Sequence, residues 1–253
     1  MISINQKDLF INLFRKEVKI RYMGSWLGVV WSLLPPTIFA IFYTFLFSYV
    51  LPLKEQGNPL IVVTGYLHWY FFAQVVAQSS DVLIGNAWLM KKVDIPKIFI
   101  NLSSFSVTLA FWMFIIVCYW IYFFIIGGFS VSFFVYLFMI FLYIIFCFSI
   151  SIIISFLYVS FRDLKYITDL MLQALFWLSP VVYNWRSVPE FFSNFYYINP
   201  VAIYIILFQS LLAEKSYMNL ELYFFLAVIY TALLAALAFY VYRSLKDKIV
   251  EII

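Results

Sequence analysis

The sequence predicts an all-α integral membrane protein: six transmembrane helices, an N-terminal amphipathic interface helix before them, and two short re-entrant helices between spans five and six. Three observations lead there. The 253 residues are 66% hydrophobic, 23% aromatic and only 11% charged, which leaves too little polar surface to coat a soluble domain. Six apolar stretches, near 26–51, 60–86, 98–127, 130–159, 166–185 and 220–242, meet the length of roughly 20 residues that a helix needs to cross about 30 Å of hydrocarbon. Thirteen of the sixteen Lys and Arg residues fall on one side of the crossings these would make.

The charges set the orientation. Lys7, Arg15, Lys16, Lys19 and Arg21 precede span one, Lys91, Lys92 and Lys97 lie between spans two and three, Arg162 and Lys165 between four and five, and Arg243, Lys246 and Lys248 follow span six. Only Lys54, Arg186 and Lys215 occupy the other gaps. Positive residues stay on the cytoplasmic side, so both termini and the second and fourth loops are expected in the cytoplasm, with the chain multi-pass in the cytoplasmic (inner) membrane. The net charge of +4 then needs no nucleic-acid partner, because anionic head groups account for it. A barrel is excluded by runs such as Phe133 to Phe148, apolar on every side where a barrel strand would alternate.

In chain order, a single domain over 1–253 divides into an interface helix (1–25), spans one to five (26–185), an extracytoplasmic segment (186–219), span six (220–242) and a cytoplasmic tail (243–253). Phe10, Phe14 and Val18 recur at four-residue steps beside Ile11, with Lys7, Asp8, Arg15, Lys16, Glu17 and Lys19 between them, the pattern of a helix lying in the interface. That stretch runs straight into a full-length span, so no cleavable signal peptide is expected. Pro35-Pro36 removes two backbone donors inside span one and should kink or loosen it. His68, beside Trp69, is expected as a hydrogen-bonded interfacial residue, since one histidine makes neither a metal cluster nor a base with its orienting partner. Cys118 and Cys147 fall within spans and read as small apolar fillers.

Asp81 and Asp169 sit near cytoplasmic span ends, within reach of water or a lysine. The loop from Asn86 to Ile100 carries Lys91, Lys92, Val93, Asp94, Ile95, Pro96 and Lys97, too short to build a cytoplasmic domain. Arg162-Asp163 reads as a helix-end ion pair fixing the fourth loop. Between spans five and six, Phe191 to Ile198 and Val201 to Leu212 are apolar but too short to cross, and Pro189 and Pro200 punctuate them; they form either a structural cap or an exit gate.

Much chemistry is absent from the sequence. The seven glycines contain no Gly-x-x-x-x-Gly-Lys-Ser/Thr loop, so the chain does not cradle a nucleotide as P-loop ATPases do. The spans hold almost no ionisable groups near their middles, which argues against an ion-coupled transporter. What remains is an aromatic excess of 31 Phe, 20 Tyr and 8 Trp. Part of it is an interfacial belt, but Phe39, Tyr43, Trp69, Phe72, Phe176 and Trp177 fall within spans or near their edges, where ring faces would let a sugar polymer slide without binding one position tightly.

Two segments carry a resemblance. Arg21-Tyr22-Met23-Gly24-Ser25-Trp26-Leu27-Gly28, running on to Trp31-Ser32-Leu33-Leu34-Pro35-Pro36, resembles the entry to span one in the permease subunits of ATP-binding-cassette exporters for polysaccharides and polyol phosphates. Phe161-Arg162-Asp163-Leu164-Lys165 with Leu178-Ser179-Pro180-Val181-Val182-Tyr183 is similar to that family's second hallmark, and Ile198-Asn199-Pro200 is a smaller third match. Many members have one proline where this chain has Pro35 and Pro36. The resemblance implies no enzyme but a transporter subunit, a homodimer joined to two cytoplasmic ATPase subunits that bind ATP and Mg. Its cargo would be an undecaprenyl-linked glycan such as an O antigen, a capsular polysaccharide or a wall teichoic acid. Spans one, two and five would line the path. Arg15, Arg21, Lys91, Lys92, Asp94 and Pro96 would couple to the ATPase, Gly24, Gly28, Arg162, Asp163, Ser179 and Pro180 would be structural, and the 187–212 pieces would form an outer gate. Rival readings are an exporter permease for drugs or small lipids and a membrane-embedded transferase of lipid-linked sugars. The transferase would need catalytic clusters, whereas Glu55, Glu190, Glu214 and Glu221 are widely spaced. A passive channel lacks filter-like charged rings.

Overall fold

The computed structural model describes residues 6–46, 59–125, 133–183, 194–212 and 220–249 apart from positions 24, 27, 29 and 94, together with the isolated positions 49, 185, 188, 189 and 191. Among these residues the protein is all-helical, with no strand. Helix α1 spans Gln6–Tyr22, with Asp8 in its first turn and Lys19 and Arg21 in its last, charges that complement the helix dipole at both ends. Then follow α2 (Val30–Phe45), α3 (Pro59–Gly85), the short α4 (Ala87–Lys92), α5 (Lys97–Ile125), α6 (Phe133–Ser160) and α7 (Leu164–Leu178). A 3-10 turn at Asn194–Tyr197 leads to α8 (Pro200–Leu212), and α9 (Leu220–Leu245) closes the bundle.

Three helices, Lys97–Ile125, Phe134–Ser160 and Leu220–Leu245, are long and apolar enough to cross a membrane. Helix α3, with 27 residues, would reach about 40 Å at 1.5 Å per residue. The α1 stripe differs from the expected one. Leu13 is its buried residue, while Phe10, Ile11, Phe14 and Val18 are half-buried, so the helix packs a face centred on Leu9 and Leu13 against the bundle.

Helix α2 runs through Pro35-Pro36 without ending. Pro36 has no N–H for the carbonyl of Ser32 four residues back, and the Tyr70 hydroxyl donates to that carbonyl at 3.4 Å instead. A neighbouring helix thus supplies the missing donor, the usual remedy for proline in membrane helices.

Two hydrophobic clusters hold the bundle. The larger is centred on α3, α5, α6 and α8 and contains Phe71, Trp112, Tyr143, Tyr204 and Phe208. The smaller gathers Leu13 of α1, Leu83 of α3, Met90 of α4, Ile95 and Ile100 around the start of α5, Phe156 of α6, Val241 of α9 and Ile249. Helix α8 has only 13 residues, yet every residue from 201 to 210 is buried. A helix apolar on all sides is stable only when wrapped on all sides, and α8 packs against α3, α6 and α9.

Several polar groups inside the bundle are paired across helices. The Ser79 hydroxyl donates to Ser151 Oγ at 2.9 Å and the Ser151 hydroxyl to Asn101 Oδ1 at 3.0 Å, tying α3, α6 and α5 together. In an apolar setting such bonds matter because the unmade alternative is costly. His68 is completely buried, not interfacial. Its Nδ1 lies 2.8 Å from the Thr64 carbonyl, which can only accept, so Nδ1 carries the proton and Nε2 accepts from the Tyr136 hydroxyl at 3.2 Å. The ring stacks on Phe208 with centroids 3.7 Å apart. It is a neutral pin between α3, α6 and α8. Cys118 is exposed and Cys147 buried, both as free thiols.

Candidate transport path and coupling surface

The six aromatic residues expected along a substrate path fall into two groups. Phe39 of α2 stacks on Tyr43 at 4.6 Å and on Tyr66 of α3 at 3.4 Å, and the Tyr43 hydroxyl donates to the Val182 carbonyl at 3.2 Å. Trp69 packs against Phe72 and Phe176, both at 5.6 Å, and Phe176 meets Trp177 edge-on at 5.2 Å. Trp69 and Phe72 are buried whereas Trp177 is 68% exposed. Phe72 and Trp177 wall an apolar cleft of about 760 Å³ between α3, α6, α7 and the start of α8. A second cleft, about 730 Å³, lies along α2, α3 and α5 beside Ala40, Leu67 and Tyr119.

The second hallmark and the Asn199-Pro200 match, read separately in the sequence, meet in space. Asn199 Oδ1 accepts from the N–H of Val201 at 3.1 Å and of Ala202 at 3.2 Å, with Pro200 at the first helical position, so Asn199 caps α8. Its Nδ2 donates to Ser179 Oγ at 2.9 Å, and Gln209 Nε2 donates to the Pro180 carbonyl at 2.8 Å. Ser179 and Pro180 therefore seat both ends of α8. Gly65 makes room for this: a Cβ there would lie 2.5 Å from Gln209 Nε2 and 2.9 Å from the Val181 carbonyl. Sequence reasoning missed Gly65, Gln209 and Tyr66.

At the other end, Gly28 has φ +50°, a left-handed conformation suited to glycine, and it turns the chain from α1 into α2. Gly24 and Asp94 lie outside the described residues. Arg15, Lys91, Lys92 and Pro96 are exposed, and Lys92 Nζ sits 4.4 Å above the ring of Trp88, itself 66% exposed. Asn86, between α3 and α4, accepts from Lys16 and donates to the Val82 carbonyl at 2.7 Å. This joins α1 to the segment bearing Lys91 and Lys92.

Arg21 faces inward. Its guanidinium donates to Thr108 Oγ1 at 2.9 Å and to the Ser104 carbonyl and hydroxyl at 3.0 Å and 3.1 Å. Burial lowers its pKa from the ordinary arginine value, with Glu17 opposing; the group remains a cation. The Arg162-Asp163 ion pair does not form. Arg162 lies 5.7 Å from the Tyr158 ring centroid, Asp163 precedes α7 without a side-chain cap bond, and the loop is tied instead by Lys165 Nζ to Asp81 Oδ2 at 2.7 Å. Lys165, two residues past Asp163, reaches α3, whereas Arg162 lies over Tyr158 of α6.

Residues 8–213 match the family model of the ABC-2 type transporter. The chain belongs to that membrane family. Over 250 residues the permease is 30% identical to an O-antigen export system permease protein RfbA of Klebsiella pneumoniae, covering 97% of this chain and 95% of the relative. A second such protein from the same organism is 30% identical over 251 residues. One from Myxococcus xanthus is 25% identical over 256 residues, again with 97% and 95% covered. The similarity runs through every helix described above, so the permease assignment applies to the bundle as a whole.

Proposed function

We propose that this chain is the transmembrane subunit of an ATP-driven exporter that carries a lipid-linked O antigen across the cytoplasmic membrane. Near-full-length similarity to O-antigen export permeases carries the reading, and the stacked aromatic groups suit a glycan. Two copies form the path and two separate ATPase subunits bind ATP and Mg. Helices α2, α3, α5, α6, α7 and α9 make six crossings with both termini cytoplasmic, and α8 with the turn before it is the re-entrant outer gate.

Force enters through α1 and α4. Arg15, Lys91, Lys92, Asp94 and Pro96 meet the ATPase, and its closure moves α1 with α3 through Asn86 and with α5 through Arg21. Phe39, Tyr43, Trp69, Phe72, Phe176 and Trp177 line the path that this movement opens. Permease and ATPase thus bias one bistable bundle from two sites. The test is coexpression with the cognate ATPase and reconstitution: the two copurify, and undecaprenyl-diphosphate-linked O antigen stimulates hydrolysis. Glycan export by the permease alone, driven by a proton or sodium gradient, would overturn the proposal.

A further inference from the structure

The inward-facing Arg21 has no carboxylate within ion-pair distance among the described residues, and Glu17 acts on it only through space. Its three hydrogen bonds go to neutral acceptors, Thr108 Oγ1 and the carbonyl and hydroxyl of Ser104. The nearby carboxylates are engaged elsewhere: Glu17 Oε1 lies 3.9 Å from Lys16 Nζ, and Asp81 is bonded to Lys165 at 2.7 Å. A cation drawn out of water is stable when an anion or good acceptors meet it, and two of the five guanidinium N–H groups remain beyond those three bonds.

Arg21 borders a cleft of about 330 Å³ between α1, α2, α3 and α5, lined also by Trp31, Tyr70, Gln74, Gln78 and Trp112 among others. Its size is at the lower end of small-molecule sites, about 300–1,000 Å³. The lining differs from the two larger clefts in carrying a cation and two glutamine amides beside aromatic faces. Thr108 Oγ1 donates to Gln78 Oε1 at 2.8 Å and Gln78 Nε2 to Gln74 Oε1 at 3.0 Å, so a chain of oriented amides leads inward from the cation. Trp31 is 56% exposed. One cation, an aromatic face and amide groups together fit a ligand with a phosphate at one end and a hydroxylated ring at the other.

We propose that this cleft binds the phosphate-linked first sugar of a glycolipid, with a phosphate oxygen accepting from Arg21 and the sugar ring lying against Trp31 and Tyr70 beside Gln74. The assignment rests on the lipid-linked glycan reading above and gives it a loading site at the inner end of α2. An ionised acceptor on a guanidinium is among the stronger hydrogen-bonded pairs, and the site tells a lipid diphosphate from the lipid alcohol.

The full-length permease in complex with its ATPase, in phosphatidylcholine nanodiscs, is titrated with undecaprenyl diphosphate N-acetylglucosamine, undecaprenyl diphosphate or undecaprenol, and binding is read by native mass spectrometry. The native complex prefers both diphosphates over the alcohol by about tenfold or more, the effect of one charged hydrogen bond. Arg21→Gln abolishes that preference, Arg21→Lys keeps part of it, and Arg243→Gln leaves it intact. Trp31→Ala removes the added affinity due to the sugar and keeps that due to the diphosphate. Native-like preference in Arg21→Gln overturns the proposal, as does equimolar displacement by phosphatidylglycerol or by inorganic diphosphate. Stimulation of hydrolysis is read separately: Arg21-dependent binding without it would sink the export function and leave the phosphate site standing.

Discussion

Gly65 lies beneath Gln209 and the Val181 carbonyl, and its missing side chain lets α8 approach α3. A methyl group there would meet a backbone oxygen at 2.9 Å as well as the amide at 2.5 Å, and the backbone oxygen cannot swing away. Gly65→Ala should therefore lower the melting temperature in detergent, by an overpacking penalty of about 1–3 kcal/mol. Adding Gln209→Ala relieves the amide clash and recovers part of the loss. An unchanged melting temperature for Gly65→Ala would sink the close approach. None of this was legible in the sequence, because Gly65 and Gln209 are 144 positions apart and neither belongs to a local pattern. Ser179-Pro180 and Asn199-Pro200 did stand out as motifs, but their purpose, seating and capping one buried helix, shows only when the hydrogen bonds are drawn. The Arg162-Asp163 pair failed for a related reason: adjacency in sequence says little about where two side chains at a helix start point, and Lys165 had the reach.

At the scale of elements, the helices were readable to within a few residues for four of the six expected stretches, since continuous apolar runs bounded by charges leave little choice of conformation. The first and fifth differ: the first has its regular helix from Val30 to Phe45 after a turn at Gly28, and the helix of the fifth ends at Leu178, before Ser179-Pro180. The packed face of α1 was harder, because Leu9 and Leu13 compete with Phe10, Phe14 and Val18 for the core, and tertiary contacts decide. Helix α1 is tied to the segment that leads into α4. The link through Asn86 and the shared contacts of Leu13 and Met90 leave Trp88, Lys91 and Lys92 facing outward. Lys91→Glu with Lys92→Glu should weaken copurification of the ATPase several-fold at low salt and less at high salt, because exposed charges steer association and are screened. The stability of the permease should change by no more than about 0.5 kcal/mol, as for other surface substitutions. Full ATPase recovery with the double variant would refute that docking face.

The smaller hydrophobic cluster bears on the whole molecule. It brings together residues from α1, the ends of α3, α6 and α9, α4, the start of α5 and the tail residue Ile249. Chain segments that carry most of the positive charge thus lie at one end of the bundle, as required if the chain crosses in pairs and returns each time. Among the described residues three helices meet the length and hydropathy of a span outright; α2 and α7 are shorter, at 16 and 15 residues, and the second half of α3 is made more polar by Gln74, Gln78, Ser79 and Ser80. Length alone therefore does not count the crossings, but side-specific chemistry does. In a background of Cys118→Ser and Cys147→Ala, single cysteines at Lys91, Lys246, Lys54 and Lys215 report which face each loop meets. A membrane-impermeant maleimide applied to sealed spheroplasts should label Lys54→Cys and Lys215→Cys, and should reach Lys91→Cys and Lys246→Cys only after permeabilisation. The four positions test every odd-numbered alternative, since losing any one crossing inverts the sides that follow it. Labelling of Lys91→Cys in sealed cells would put the coupling surface on the wrong side of the membrane from any ATP, and with it the six-crossing arrangement would fall.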